Sequence, residues 1–172
     1  PLKFDEYPDF CIEKTPDSVV IPNRLTNDKQ PWLLFEFLNT YCCDRQVLFT
    51  NTQHDDDWVL KKLYELIYRN KKWQIVDNYH KALAESQYVV NFSLHETFGV
   101  AIAEALHYKC QPVIPNAVSY PTLIDKDYLY DAYSLKHAAM KLYPNNVPNF
   151  IYDYDHMKVF DKLFIYMGYD VS

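Results

Sequence analysis

Glycine is almost missing from this chain: there are two in 172 residues, Gly99 and Gly168. Folds that cradle phosphate usually turn on glycine, so the turns here must rest on Asn, Asp and ten prolines. Long apolar runs are missing too, and none approaches the length that crosses a bilayer. The N-terminus lacks the charged and apolar regions of a signal peptide, and a soluble, cytoplasmic protein is expected. Cys11, Cys42, Cys43 and Cys110 form no C-x-x-C pair. That argues against a zinc site, and Cys42, Cys43 and Cys110 read as small buried hydrophobes in a reducing compartment. Positive charge is short as well: 17 Lys and Arg against 23 Asp and Glu leave a formal charge of -6. A chain of that balance is not expected to supply the main grip on a nucleic acid. Repeats and low-complexity stretches are absent.

What is present is core material. Apolar residues make up 49% and aromatic residues 17%, enough for one packed domain and too much for a disordered chain. Pro1 to Pro16 holds three prolines and many charges without periodicity, so residues 1–17 read as a linker or wrapping arm and 18–172 as the domain. The pattern beyond predicts strands at Ser18–Pro22, Gln46–Thr50, Lys72–Asp77, Tyr88–Phe92 and Gln111–Pro115. Between them it predicts helices over Pro31–Tyr41, Trp58–Arg69, Tyr79–Ser86 and Phe98–Tyr108. A short turn over Thr122–Asp125 follows, then helices near Ser134–Leu142 and His156–Met167. Strands alternating with helices make an α/β fold, a Rossmann-like parallel sheet of about five strands with helices on both faces.

The chain is organised around YVVNFSLHETFGVAIAEALHYKCQPVIPNAVSYPTLI, from Tyr88 to Ile124. Strand, acidic turn, helix, strand and loop follow one another, which places Ser93, His95, Glu96, Thr97, Phe98 and Gly99 at a strand's carboxyl end, where such sheets bind ligands. Gly99 lets backbone approach a ligand closely, and the helix N-terminus beside it favours an anion. Glu96 ends the turn and Glu104 lies in the helix's second turn, near the same mouth. One carboxylate can reach a sugar and the other a ribose, since both ligands offer paired hydroxyls. His95, beside Glu96, suits a bond to a sugar hydroxyl or a leaving phosphate. Arg24 and Lys29, five positions apart after the first strand, can converge on a diphosphate. Asp55, Asp56 and Asp57 read as the N-cap and charged first turn of a helix in preference to a metal site.

HETFGVAIAEA followed by CQPVIPNAVSYPTLI resembles the nucleotide-sugar half of retaining glycosyltransferases of family 4, which carry E-x7-E around Phe-Gly and then a P-V-I-P strand. Within that family the two segments and the following KDYLYD resemble a tRNA-queuosine mannosyltransferase-like group. NRLTNDKQ is similar to the family's G-R-L-x-x-x-K-G, with Asn23 and Gln30 in place of its two glycines. The resemblance covers roughly Val19 to Leu135 by element order.

It implies the donor-binding, C-terminal domain of a GT-B enzyme that moves a sugar from a nucleoside-diphosphate sugar with retention. Glu96, Arg24 and Lys29 then serve the reaction, and His95, Thr97, Phe98, Gly99, Glu104 and Tyr79 bind the donor. Tyr79 falls in the family's base-binding loop, where it can stack on the base or simply pack. No cofactor and no metal are implied. The acceptor, a modified tRNA nucleoside or a DNA base, lipid or glycan, is expected on an N-terminal domain outside this chain, and the chain alone is expected not to transfer sugar. A non-catalytic nucleotide-sugar-binding module is the other function that these residues fit.

Overall fold

The structure is a computed structural model that describes residues 4–143. Five strands, β1 (Thr15–Ile21), β2 (Val47–Phe49), β3 (Trp73–Ile75), β4 (Ser86–Val90) and β5 (Gln111–Val113), form one sheet in the order β3-β2-β1-β4-β5. Every pairing is parallel. Helices α1 (Pro31–Tyr41), α2 (Asp57–Arg69), α3 (Tyr79–Glu85), α4 (Val100–His107), α5 (Tyr120–Leu123) and α6 (Leu135–Met140) complete the described chain. The predicted doubly covered α/β sheet is the one observed.

The strands are continuous apolar runs because both faces are covered. Their two-residue period sends alternate side chains into two different cores. Val19, Ile21, Val47, Phe49, Tyr88 and Val90 join the side chains of α1, α2 and α6 on one face. Val20, Leu48 and Val89 join those of α3, α4 and α5 on the other. Helix α2 has the matching helical period, with Val59, Leu63 and Leu66 buried, while Glu65 on the wet side pairs with Lys62 and Arg69. Such exposed pairs add only about 0.3–0.5 kcal/mol each, so burial of the apolar stripe holds the helix down. Cys42 and Cys110 are buried, as expected of small hydrophobes, and burial pushes their thiols up to about 12 and about 11. Cys43 is exposed instead, and so is Cys11.

Several boundaries move for local reasons. Strand β1 starts at Thr15, and its register with β4 shifts between Thr15 and Val19, where Asp17 has φ 59°. Strand β4 stops at Val90 because the Asn91 side chain accepts a bond from the backbone N–H of Ser93 at 2.5 Å and turns the chain. Helix α4 starts at Val100, two residues later than predicted, because Gly99 caps it in the left-handed region at φ 64°. The first turn of α6 is capped by Ser134, whose side chain accepts from His137 N–H. The helix expected near His156–Met167 lies outside the described residues. Among those described, no helix is long and apolar enough to cross a membrane.

The order β3-β2-β1-β4-β5 has one consequence for function. From β1 the chain winds outward through β2 to β3, then returns to lay β4 on the other side of β1. The loops after β1 and β4 therefore leave the same sheet edge in opposite directions, and a crevice opens between them at the carboxyl ends of the strands.

Candidate functional site at the sheet edge

Both loops of the crevice are built from residues the sequence singles out. Lys29, in the 3-10 turn Asn27–Lys29 after β1, reaches across to the loop after β4. Its Nζ donates to the carbonyl of His95 at 2.7 Å and to Glu96 Oε2 at 3.0 Å, and lies 3.2 Å from Asp28 Oδ2. The Leu94 N–H donates to Asp28 O at 3.0 Å, which fastens the same two loops through backbone. Only 11% of the Lys29 side chain is exposed, so this ammonium is part of the wall of the crevice and not a solvated surface cation. Asp28 lies below the usual carboxylate range: burial pushes its pKa up, but bonds from Thr26 and Lys29 outweigh it.

The other carboxylate oxygen of Glu96 accepts from the Gly99 N–H at 3.3 Å, so Glu96 also braces the entry to α4. Gly99 is the residue this entry requires. Its φ is one that side-chain-bearing residues rarely adopt, and an added Cβ would stand 2.8 Å from Leu123 Cδ1 and 3.2 Å from Tyr120 Cε1. The first N–H groups of α4 have no partner within the helix, a setting that favours an anion. His95, Thr97 and Phe98 are exposed on the loop itself.

Glu104 sits one turn further along α4, half-buried, facing α3. Its Oε1 accepts from the Tyr7 hydroxyl at 2.7 Å and its Oε2 from the Tyr79 hydroxyl at 2.5 Å. Tyr79, expected beside a base, thus bonds the second carboxylate from the first position of α3. Arg24 is exposed on the loop after β1 and has no hydrogen-bond or ionic partner among the described residues. The sequence motif therefore becomes two stations: Glu96 with Lys29 at the helix mouth, and Glu104 with two tyrosines beside it.

The acidic loop takes a structural role. Asp55 Oδ2 accepts from the Asn27 N–H at 2.7 Å and Asp56 Oδ2 from Asn27 Nδ2 at 3.1 Å, which moors the Lys29 loop to the loop after β2. Asp56 is the N-cap residue of α2, yet its side chain makes no capping bond, in contrast to the cap that the sequence predicts. Among the described residues no cluster of His, Cys, Asp or Glu has the form of a metal site.

Three supports were not visible in the sequence. Tyr7 lies 97 positions from Glu104, beyond any local pattern. Asn91 Nδ2 donates to the Tyr120 hydroxyl at 2.7 Å and Asn91 O accepts from the Tyr130 hydroxyl at 2.9 Å, both buried, under the loop that carries Glu96. An Asn beside a strand end gives a hint of a turn, but nothing local names its tyrosine partners.

No protein-family model matches the chain. In sequence it is 31% identical over 123 residues to the tRNA-queuosine alpha-mannosyltransferase of Drosophila melanogaster, across 66% of this chain and 32% of that protein. It thus spans about a third of the length of the curated relative it matches. Staphylococcus aureus TarM superposes with a TM-score of 0.66 at 19% identity, covering 82% of this chain and 30% of TarM. Anabaena HepE, solved with UDP and glucose, gives 0.61 at 17% identity over 73% of this chain and 37% of HepE. The C-terminal domain of a group 1 glycosyl transferase from Francisella tularensis, LpcC, gives 0.56 at 20% identity, covering 73% of this chain and 72% of that domain. The chain has the Rossmann-like fold of a GT-B glycosyltransferase domain, as in the C-terminal domain of LpcC.

Proposed function

We propose that this domain holds a nucleoside-diphosphate sugar for a glycosyl transfer that retains configuration at the sugar carbon. The observation that carries this reading is the meeting of Lys29, Glu96 and the α4 N-terminus at the sheet's crevice, with Glu104 one turn away. A donor laid along this line puts its diphosphate against Lys29, Arg24 and the helix N–H groups, its sugar against Glu96 and His95, and its ribose against Glu104. Complexes of HepE with UDP and with UDP-glucose support a donor of this class.

In the transfer, the bond from the anomeric carbon to the diphosphate oxygen breaks, and the acceptor oxygen bonds to the same carbon. The acceptor's proton passes to the departing phosphate oxygen, which lies on the same face and so accounts for retention. Negative charge grows on the diphosphate as the bond breaks. Lys29, Arg24 and the first N–H groups of α4 are the groups placed to stabilise it, a preorganised electrostatic role. Glu96, held by Lys29, positions sugar hydroxyls. The acceptor belongs to the proposal as well: the similarity to a tRNA-queuosine mannosyltransferase favours a modified tRNA nucleoside, presented by an N-terminal GT-B domain. The formal charge of -6 on this chain fits an RNA grip located elsewhere.

The two carboxylates give the test. Glu104→Gln is expected to weaken free nucleotide and nucleotide-sugar alike, by about tenfold to a hundredfold, the range for a bond to a charged group. Glu96→Gln removes a negative charge beside the diphosphate, so it is expected not to weaken free nucleotide and to weaken only the sugar-bearing donor. Calorimetry with UDP, GDP and ADP and their glucose or mannose conjugates reads both. The reversed pattern, or equal effects of the two substitutions on both ligands, contradicts the assignment.

A further inference from the structure

Glu104 has a tyrosine on each oxygen, and the two phenols arrive from different elements. Tyr79 is held as the first residue of α3, a helix whose start is fixed by Asn78, which accepts from the Lys81 N–H through its side chain. Tyr7 comes from the segment that precedes β1, and rings grip it on several sides. It stacks over Tyr108 at 6.5 Å and 11° and lies 4.9 Å from the His80 ring. It also meets Phe4 edge-on at 5.6 Å. Phe4 stacks flat on His107 at 4.6 Å and 7°, and the Tyr108 hydroxyl donates to Pro8 O at 3.0 Å. Residues 4–10 are thereby bolted to α3 and to the end of α4, and the hydroxyl of Tyr7 has a fixed address on Glu104.

An ionised carboxylate offers about four acceptor directions, and two donors from two sides leave about one per oxygen. Two remaining acceptors on neighbouring oxygens match the paired hydroxyls of a vicinal diol. Two bonds also hold the plane of the carboxylate, which a side chain with three rotatable bonds would otherwise lose entropy to fix on binding. We propose that Tyr7, with Tyr79, is a positioning and specificity-determining residue that orients Glu104 to accept the 2′- and 3′-hydroxyls of the donor's ribose, so that the segment before β1 forms part of the nucleotide site. The inference rests on the reading that Glu104 faces ribose. Burial first, and then the bond to Glu104, raises the pKa of both phenols, so both stay donors at working pH.

The test uses the whole chain, calorimetry, and whichever of UDP, GDP and ADP binds best, with its 2′-deoxy and 2′,3′-dideoxy analogues. Tyr7→Phe keeps the ring and its packing and removes only the donor. The wild-type chain is expected to bind the ribonucleotide about tenfold or more tightly than the dideoxy analogue. Tyr7→Phe is expected to weaken the ribonucleotide by about threefold to tenfold and leave the dideoxy analogue unchanged, so that the discrimination shrinks. A merely structural tyrosine would weaken all three ligands alike, and that result overturns the proposal. So does tighter binding by Tyr7→Phe, the signature of a phenol that occupies the diol's place. Failure of the wild-type chain to discriminate removes the ribose reading itself, and with it the proposal, and is distinct because it appears before any substitution.

Discussion

Gly99→Val is expected to destabilise the domain by about 2 to 5 kcal/mol, the sum of left-handed backbone strain and overpacking at one position. The strain arises because φ is 64°, where a β-branched residue is least at home. The overpacking arises because the new Cβ arrives 2.8 Å from Leu123 Cδ1 and 3.2 Å from Tyr120 Cε1. Tyr120 is buried and bonded to Asn91, so it has little room to move. Leu123 is the far end of a leucine on the short α5 and absorbs part of the clash, which is why the smaller Gly99→Ala is expected to lose distinctly less. The effect reaches the site as well, since the Gly99 N–H is a partner of Glu96. Urea denaturation of the three chains reads the order wild type, Ala, Val. Equal midpoints for all three would show that the α4 entry does not need glycine.

The elements were legible in the sequence where both periodicity and punctuation agreed. Helix α1 falls on the predicted residues because Pro31 sets its start and apolar residues line one face up to Tyr41. The sheet was legible from SVVIP, QVLFT and YVVNF, whose apolar runs fit strands covered on both faces. Strand ends were less so, because side-chain bonds decide them: the Asn91 bond to Ser93 ends β4 before Phe92, although Phe92 is as apolar as its neighbours. In the site, Lys29, Glu96, Gly99 and Glu104 were legible from spacing and chemistry. The ion pair of Lys29 with Glu96 was not, because 67 residues separate them and only the return of the chain to place β4 beside β1 brings them together. Tyr7 was hidden for the same reason, inside a proline-rich segment that reads as a linker or wrapping arm.

Lys29→Ala is expected to weaken nucleoside-diphosphate binding by about 1.5 to 3 kcal/mol, or roughly tenfold to a hundredfold, the range for bonds to a charged group. The ammonium has three donors, and the carbonyl of His95 and the carboxylates of Glu96 and Asp28 take all of them. A diphosphate that displaces or shares one of these acceptors meets the ammonium inside a partly buried wall, where it is screened less than at the surface. Removal of that charge also leaves Glu96 and Asp28 without their counterion at the place where phosphate arrives, so repulsion adds to the lost attraction. Arg24→Ala is expected to cost less, about 1 kcal/mol, since an exposed guanidinium is screened and must be ordered on binding. Titration at two salt concentrations separates the two cations, because the Arg24 contribution should fade at high salt and most of the Lys29 contribution should persist. Equal affinity of the wild type and both variants would remove these residues from the diphosphate site.

The proposed function requires first that the crevice between β1 and β4 bind a nucleoside diphosphate. Calorimetric titration of the chain with UDP, GDP and ADP, each beside its monophosphate, tests it most directly. Saturable binding of at least one diphosphate is expected, with the matching monophosphate weaker by about tenfold or more for want of the phosphate that meets Lys29 and the α4 N-terminus. Saturable binding of none of the three, or equal affinity for a diphosphate and its monophosphate, would contradict it.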